Sequence, residues 1–200
     1  MKPVIIATGN PDKFEQIINI LSAIKVKTNK FLNLADLNIT NDEPETGSLL
    51  ERAKQKVLNC LAKINPEDQK KYLCIVANDT GTKLPTLNLE TAESKKIATQ
   101  ILAGELIKPG DPIVYVYAYA FVILPNRKML TAQVDIPFTY LGNPKGLKLI
   151  EGQNTMSGVK AIPGQNVPHS EIPPEKVIKY RLKYLKEALS PIVSEINQLT

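Results

Sequence analysis

The first residues of the chain combine a short apolar run with a helical hydrophobic repeat. Residues 3–8, PVIIAT, are typical of a buried strand that stops at a turn-forming Gly-Asn pair. A helix is predicted to follow at once, because Asn10 can cap it and Pro11 suits its first position. The apolar repeat of that helix has the spacing i, i+3, i+4, i+7 and consists of Phe14, Ile17, Ile18 and Leu21. The pattern predicts a strand, a tight loop and a helix.

A second strand and a second helix follow from the same reasoning. Ser48 and Glu51 form a capping box, so a helix is predicted to begin near Ser48 and to end near residues 65–66. Residues 73–77, LCIVA, form another apolar run and predict a second buried strand. The polar residues 78–81, Asn-Asp-Thr-Gly, are turn formers, so we expect a loop at the carboxyl end of that strand.

The remaining chain predicts a hairpin between two further helices. Residues 91–103 are moderately helical, and residues 113–124 form a long strand that a turn can pair with a strand over 129–138. The last helix is predicted from about 175 to 189. Since no repeat or composition break divides residues 1–200, we expect one α/β domain with a mixed central sheet and flanking helices.

Composition and charge limit the possible classes of protein. A chain that is 43% hydrophobic and 22% charged is neither disordered nor fibrous. Its longest apolar stretch is 12 residues, shorter than the about 20 that a membrane-spanning helix needs, so we expect no membrane segment and a cytoplasmic location. The two cysteines, 14 residues apart in apolar sequence, predict buried reduced thiols. The net charge of +5 favours an anionic partner. Because the lysines are scattered and no nucleic-acid-binding motif is present, a small phosphate compound is favoured over a polymer.

The start of the first helix is a candidate anion site. Thr8, Gly9, Asn10 and Lys13 provide a hydroxyl, free backbone N–H groups, a cap amide and an ammonium at a helix N-terminus, where phosphate oxygens bind well. The alternative is an ordinary capped helix with a solvated lysine. From this segment alone, both interpretations stay open.

Two acidic segments are candidates for metal binding or catalysis. Residues 41–47 carry three carboxylates, the oxygen ligands that Mg²⁺ prefers, although a solvated acidic loop would have the same composition. Asp79 follows the second strand, at the position where open α/β sheets bind ligands. The alternative role for Asp79 is to close an Asx turn.

Four blocks of the sequence together resemble one known family. In order along the chain they are IIATGNPDKFEQI, ETGSLLERAKQKV, IVANDTG and HSEIPPEKVIKYRLKYLKEAL. Their order and spacing are similar to those of the inosine triphosphatase or Ham1-like family of purine nucleoside triphosphate pyrophosphatases. The first block meets the family pattern Ser/Thr-x-Asn-x-x-Lys. In the second block the family pattern Glu-Asn-Ala-x-x-Lys is met except that Arg52 replaces Asn.

The resemblance implies a fold, an activity and a set of site residues. The implied fold is α/β with two lobes around a nucleotide cleft, usually in a homodimer. The implied activity is Mg²⁺-dependent hydrolysis of inosine, deoxyinosine and xanthosine triphosphates to the monophosphate and pyrophosphate. Asp79 and Lys13 would be catalytic, and Glu45 and Asp79 would bind the metal. The substrate-binding residues would be Thr8, Gly9, Asn10, Lys13, Lys56, Thr80, Lys176, Tyr180 and Arg181.

The sequence departs from the family at further places, and a Ser-Ala-Arg-Tyr stretch expected after the third block is missing from residues 86–105. Asn78 stands where the family has an acidic residue, residues 161–164 lack the aromatic of Phe-x-Pro-x-Gly, and residues 179–181 read Lys-Tyr-Arg in place of Ser-His-Arg. These departures keep two alternatives open. One is a nucleotide-binding protein that has lost turnover, and the other is a pyrophosphatase of this fold with a different base preference.

Overall fold

The computed structural model describes residues 1–40, 45–148, 150 and 155–200. The chain divides into two compact units, each assembled from separate stretches of sequence. The first unit comprises residues 1–79, 118–134 and 182–200, and the second comprises residues 80–117 and 135–181. That residues 1–200 act as one domain stays a prediction.

The elements alternate between strands and helices along most of the chain. The strands are β1 (Val4–Ile6), β2 (Phe31–Leu32), β3 (Cys74–Leu84), β4 (Leu89–Thr91), β5 (Pro112–Ile123), β6 (Lys128–Tyr140) and β7 (Lys160–Ala161). The helices are α1 (Pro11–Ala23), α2 (Leu49–Lys63), α3 (Pro66–Gln69), α4 (Ser94–Leu102) and α5 (Pro174–Asn197). The strands form one seven-stranded sheet in the order β2-β1-β3-β5-β6-β7, and β4 pairs with β3. Parallel and antiparallel pairs both occur, which confirms the predicted mixed α/β class.

In the first unit, local chemistry at the helix starts gives the predicted elements. Asn10 caps α1 and Pro11 is its first residue. Ser48 and Glu51 form the capping box of α2, with bonds in both directions. Strand β1 pairs in parallel with both β2 and β3, and Ile5 lies opposite Ile75. The two strand–helix starts are therefore confirmed.

One sequence prediction is wrong in this region. Residues 78–81 are not a loop, because β3 continues through them as far as Leu84. Asn78 and Asp79 are both buried, with 3% and 5% of their surface exposed. The strand extends because its far end pairs antiparallel with β4, where Thr82 lies opposite Thr91. The pairing of β3 with β4 therefore outweighs the local preference of residues 78–81 for a turn.

The second unit has its own apolar core. Strand residues of β3, β5 and β6 pack there against the inner face of α4, around Ile101 and Ile113. The hydroxyl group of the buried Tyr140 side chain donates a hydrogen bond to the carbonyl of Ile101. The members of this core are Leu84, Ile97, Ala98, Ile101, Leu102, Ile107, Ile113, Tyr140, Met156 and Val159.

The last helix and the hairpin both match the predicted types. Strands β5 and β6 are neighbours joined by a four-residue turn, as the pattern of residues 113–138 indicated. Helix α5 extends eight residues beyond its predicted end at 189 and passes through Pro191. Among the helices of the described residues, none has the length and apolar character needed to cross a membrane.

Candidate functional site

The loop before α1 holds its polar groups in an ordered turn. The hydroxyl of Thr8 accepts a hydrogen bond from the backbone N–H of Asn10 (3.2 Å), and the Asn10 side chain accepts one from the N–H of Lys13 (3.1 Å). A Cβ added at Gly9 would meet no atom within 4 Å. Since packing does not require a glycine there, Gly9 leaves open space beside the helix N-terminus, where an anion can approach the backbone.

Asp79 is the centre of the charged groups in the first unit. Its Oδ1 lies 2.9 Å from Lys56 Nζ and 3.7 Å from Lys13 Nζ, and its Oδ2 lies 3.1 Å from Arg52 Nε. A carboxylate buried to this degree is costly unless opposite charges surround it. Three cations from α1 and α2 provide that compensation.

Glu45 is a second carboxylate that contacts two of the same cations. Its Oε2 lies 3.1 Å from Lys56 Nζ and 3.6 Å from Arg52 Nε. We call Lys13, Glu45, Arg52, Lys56 and Asp79 the charge cluster. With three positive and two negative side chains, it carries a net charge of +1 and suits a ligand with several negative charges.

The two lysines of the charge cluster differ in their surroundings. Lys56 is buried and donates to Asp79 and also to the backbone carbonyl of Asn78 (3.2 Å), which fixes its ammonium group. Lys13 keeps about a third of its side chain exposed (32%). Burial of the amine and the nearby charge of Lys56 lower the pKa of Lys13, while Asp79 and Glu45 oppose that shift. Lys13 is thus the more accessible of the two cations.

Arg52 is a residue that the sequence analysis missed as part of the site. In the sequence Arg52 stands out only as a departure from the family pattern, yet its Nε contacts both carboxylates of the charge cluster. A signal was available: Arg52 and Lys56 are four residues apart on α2 and therefore share one face of the helix. The partner of that face, Asp79, could not be read from the spacing.

The donor chemistry of the charge cluster fits the predicted Mg²⁺. Glu45 and Asp79 both direct an oxygen at the same atom, Lys56 Nζ, so the two carboxylates converge on one region. Mg²⁺ is commonly bound by one or two carboxylates together with substrate phosphates. Within the described ranges, no set of three or more His, Cys, Asp or Glu side chains is arranged to hold a metal. Residues 41–44, which include two of the three predicted acidic candidates, lie outside the described residues.

Asn78 does not share the surroundings of Asp79. Successive side chains of a strand point to opposite faces of the sheet, so the amide of Asn78 points away from the charge cluster. Both polar atoms of that amide are buried without a hydrogen-bond partner in the described part of the chain. An acidic residue at position 78 would therefore not form a side-by-side carboxylate pair with Asp79.

The second unit contains the other predicted substrate-binding residues. Tyr180 donates its hydroxyl to the carbonyl of Pro137 and packs edge-on against Phe138, with ring centres 5.6 Å apart. The Arg181 guanidinium lies 5.9 Å from the ring centre of Tyr117. Lys176 is exposed on α5. Thr80 is half-buried, and its carbonyl accepts a hydrogen bond from the Ser94 hydroxyl (3.2 Å).

Lys160 is a second residue that sequence reasoning did not find. Only 2% of it is exposed, and its Nζ lies 3.7 Å from the ring centre of Tyr115 and 4.6 Å from that of Phe138. Burial and the nearby Arg181 lower the pKa of Lys160 well below its usual value. The signal was a lone lysine inside the apolar run Val159–Ile162.

The protonation of His169 is expected to make the stability of the protein depend on pH. Burial, with Lys160 and Arg181 nearby, lowers the pKa of His169 to about 3. Between pH 6.5 and about 3, the His169 ring takes up a proton only in the unfolded chain, so we expect its contribution to the free energy of unfolding to fall by about 1.4 kcal/mol per pH unit below 6.5.

Two measurements check the protonation of His169. Because the chain has one histidine, its ring resonance in NMR spectra is unambiguous, and the ring should remain neutral at pH 5. Urea unfolding of wild type and His169→Gln at pH 7.5 and 5.0 provides the comparison. A ring that titrates near pH 6.5, or an equal acid sensitivity of the two proteins, would contradict this account.

Among known proteins, the fold is similar to that of a solved structure. No protein-family model and no curated protein matches the sequence. The solved structure of a HAM1 protein from Coxiella burnetii is similar, with a TM-score of 0.64 and 15% sequence identity over 98% of this chain and 100% of that one. The chain has a HAM1-like fold. That result confirms the predicted mixed α/β class and the Ham1-like type of fold. At this identity the similarity shows the fold alone and assigns no residue roles.

Proposed function

We propose that the protein hydrolyses nucleoside triphosphates to the monophosphate and pyrophosphate. The observation that carries this proposal is the charge cluster, in which a buried carboxylate, Asp79, is surrounded by three cations next to an open helix N-terminus. This arrangement provides two things that the reaction needs, a positively charged site that can bind the phosphates and a carboxylate that can accept a proton. The HAM1-like fold is consistent with it.

We assign phosphate binding to Thr8, Gly9, Asn10 and Lys13 at the start of α1, which together are called the phosphate seat. The backbone N–H of Gly9 would donate to phosphate oxygens beside the Thr8 hydroxyl and the Asn10 side chain, assisted by the positive end of the helix dipole, because the N–H groups of Thr8 and Asn10 already donate to the Ile6 carbonyl and the Thr8 hydroxyl. Lys13 is partly exposed beside them and would contact the phosphates as a mobile point charge. Lys56 is held in place by its bonds to Asp79 and would offset the charge that develops on the leaving pyrophosphate.

Asp79 is the proposed catalytic carboxylate. It would orient the attacking water and accept its proton. Glu45 and Asp79 are the residues that would hold Mg²⁺, which when bound supplies charge neutralisation of the phosphate oxygens. The remaining substrate-binding assignments, Thr80, Lys176, Tyr180 and Arg181, rest on the resemblance of the third and fourth sequence blocks.

The proposed substrates are inosine, deoxyinosine and xanthosine triphosphates, and the proposed assembly is a homodimer in the cytoplasm without nucleic acid. A pyrophosphatase of this fold with another base preference is the nearest alternative, since residues 161–164 lack the family aromatic. A nucleotide-binding protein without turnover is the second alternative. It is favoured by the contacts of Arg52 and Lys56, which compensate the charge of both carboxylates.

A single assay separates these functions. The pure protein is incubated with Mg²⁺ and a panel of purine and pyrimidine nucleoside triphosphates, and pyrophosphate and orthophosphate are measured separately. Pyrophosphate release supports the proposed function, and its distribution over the panel gives the base preference. Orthophosphate release indicates a different reaction, whereas triphosphate binding without any product indicates the binding protein.

Lys13→Ala should impair the handling of triphosphates more than the binding of monophosphates. The lost charge lies at the phosphate seat, and one such preorganised contact is worth on the order of 3 kcal/mol, or about a hundredfold in rate. Rates with a triphosphate and affinities for the monophosphate are compared for wild type, Lys13→Ala and the control Lys30→Ala, which removes an exposed lysine. Equal losses for both ligands would remove the phosphate assignment of Lys13.

A further inference from the structure

Arg52 uses only part of its guanidinium group within the charge cluster. The atom nearest to both carboxylates is Nε, which lies 3.1 Å from Asp79 Oδ2 and 3.6 Å from Glu45 Oε2. In the described part of the chain, its two terminal nitrogens make no hydrogen bond, and the side chain is 26% exposed. Two N–H donor groups of this partly exposed side chain are therefore available to a ligand.

That free pair has the geometry for one class of ligand. Two parallel N–H groups of a guanidinium bind two oxygens of a phosphate at once, which a lysine ammonium cannot do. The cluster's excess of positive charge favours the same class of ligand. An arginine at this position differs from the asparagine of the family pattern.

The same side chain affects what the carboxylates can bind. Arg52 and Lys56 each contact both Glu45 and Asp79, so a divalent ion at those oxygens would lie beside two fixed positive charges. Repulsion between unit charges a few ångströms apart is substantial near a protein surface. A triphosphate that attracts the guanidinium would relieve this repulsion and free carboxylate oxygens.

We propose that Arg52 is a phosphate-binding residue that also keeps Glu45 and Asp79 from holding a divalent ion until a polyphosphate is bound. This inference rests on the proposed function, because it assigns a polyphosphate to the same site. It predicts that metal and polyphosphate bind together rather than independently. Arg52 is a positioning residue for the carboxylates and a direct contact for the phosphate.

The test uses binding alone, without turnover. Mn²⁺ binding is followed by electron paramagnetic resonance on nucleotide-free protein, and the affinity for inorganic tripolyphosphate is measured by calorimetry without metal. The variants are Arg52→Asn, Arg52→Lys and the control Lys54→Asn, which removes a positive charge from the same helix outside the charge cluster. Thermal unfolding of each variant verifies that it is folded.

Arg52→Asn should bind Mn²⁺ at least about tenfold more tightly and tripolyphosphate at least about tenfold more weakly, because a unit charge beside each ligand is removed. Arg52→Lys keeps the charge but not the paired donors, so Mn²⁺ affinity should stay near wild type while tripolyphosphate affinity falls by about fivefold. Unchanged Mn²⁺ affinity in Arg52→Asn, or a loss of tripolyphosphate affinity no larger than in Lys54→Asn, would overturn the inference. Since these experiments involve no hydrolysis, a protein that fails the pyrophosphate assay can still pass them, and the two failures are distinguishable.

Discussion

Asp79→Asn is expected to reduce turnover by about a thousandfold or more, the size of effect seen when a catalytic carboxylate is lost. The amide is nearly the same size as the carboxylate, but it cannot accept a proton from water and is a poor ligand for Mg²⁺. Because Asp79 lies within β3 and faces three cations, the change also raises the net charge of the cluster from +1 to +2. We therefore expect a folded but less stable protein.

The measurement pairs initial rates of pyrophosphate release with thermal unfolding. Asp12→Asn is a matched control, because it removes an exposed carboxylate from the first turn of α1 and leaves the charge cluster intact. If Asp79→Asn is folded and as active as Asp12→Asn, Asp79 is a structural counter-ion for the lysines and not a catalytic group.

Lys56→Met is expected to cost about 3 kcal/mol of unfolding free energy, since the buried Asp79 carboxylate loses its nearest cation and keeps the contacts with Arg52 and Lys13. The Lys56 ammonium contacts Asp79, Glu45 and the carbonyl of Asn78 together. Methionine keeps the length and apolar character of the stem, so the loss reports the charge and its hydrogen bonds rather than a cavity.

Urea unfolding of wild type, Lys56→Met and Lys54→Met measures this cost. Lys54 is on the same helix but outside the charge cluster, and its replacement should change stability by less than about 0.5 kcal/mol. Similar losses in the two variants would mean that the cluster contributes little to the stability of the first unit.

The sequence was most informative where structure is determined locally. Asn10 with Pro11, and Ser48 with Glu51, define the starts of α1 and α2 through contacts within four residues, and both starts are confirmed. The error at residues 78–81 has the opposite cause. The extension of β3 depends on β4, a strand of three residues whose pairing has no signal in the segment itself.

The site shows the same division between local and long-range information. Lys13 and Asp79 could be proposed from their positions after the two apolar runs, and the structure brings them into one cluster. The contacts of Arg52 depend on residues 7 and 27 positions away in the sequence, and the environment of Lys160 depends on Tyr115 and Phe138 from two other strands. No spacing rule connects a residue with such distant partners, so the sequence signals at Arg52 and Lys160 could not show which groups they contact.

In the proposed reaction, water attacks the phosphorus nearest the nucleoside, the bond from that phosphorus to the bridging oxygen breaks, and pyrophosphate leaves. Hydrolysis of inosine triphosphate in water enriched in oxygen-18, followed by mass spectrometry of both products, identifies the phosphorus that is attacked. We predict one labelled oxygen in the monophosphate and none in the pyrophosphate, with the reaction lost in Asp79→Asn. Label in the pyrophosphate, or release of labelled orthophosphate, would contradict the proposed reaction at the charge cluster.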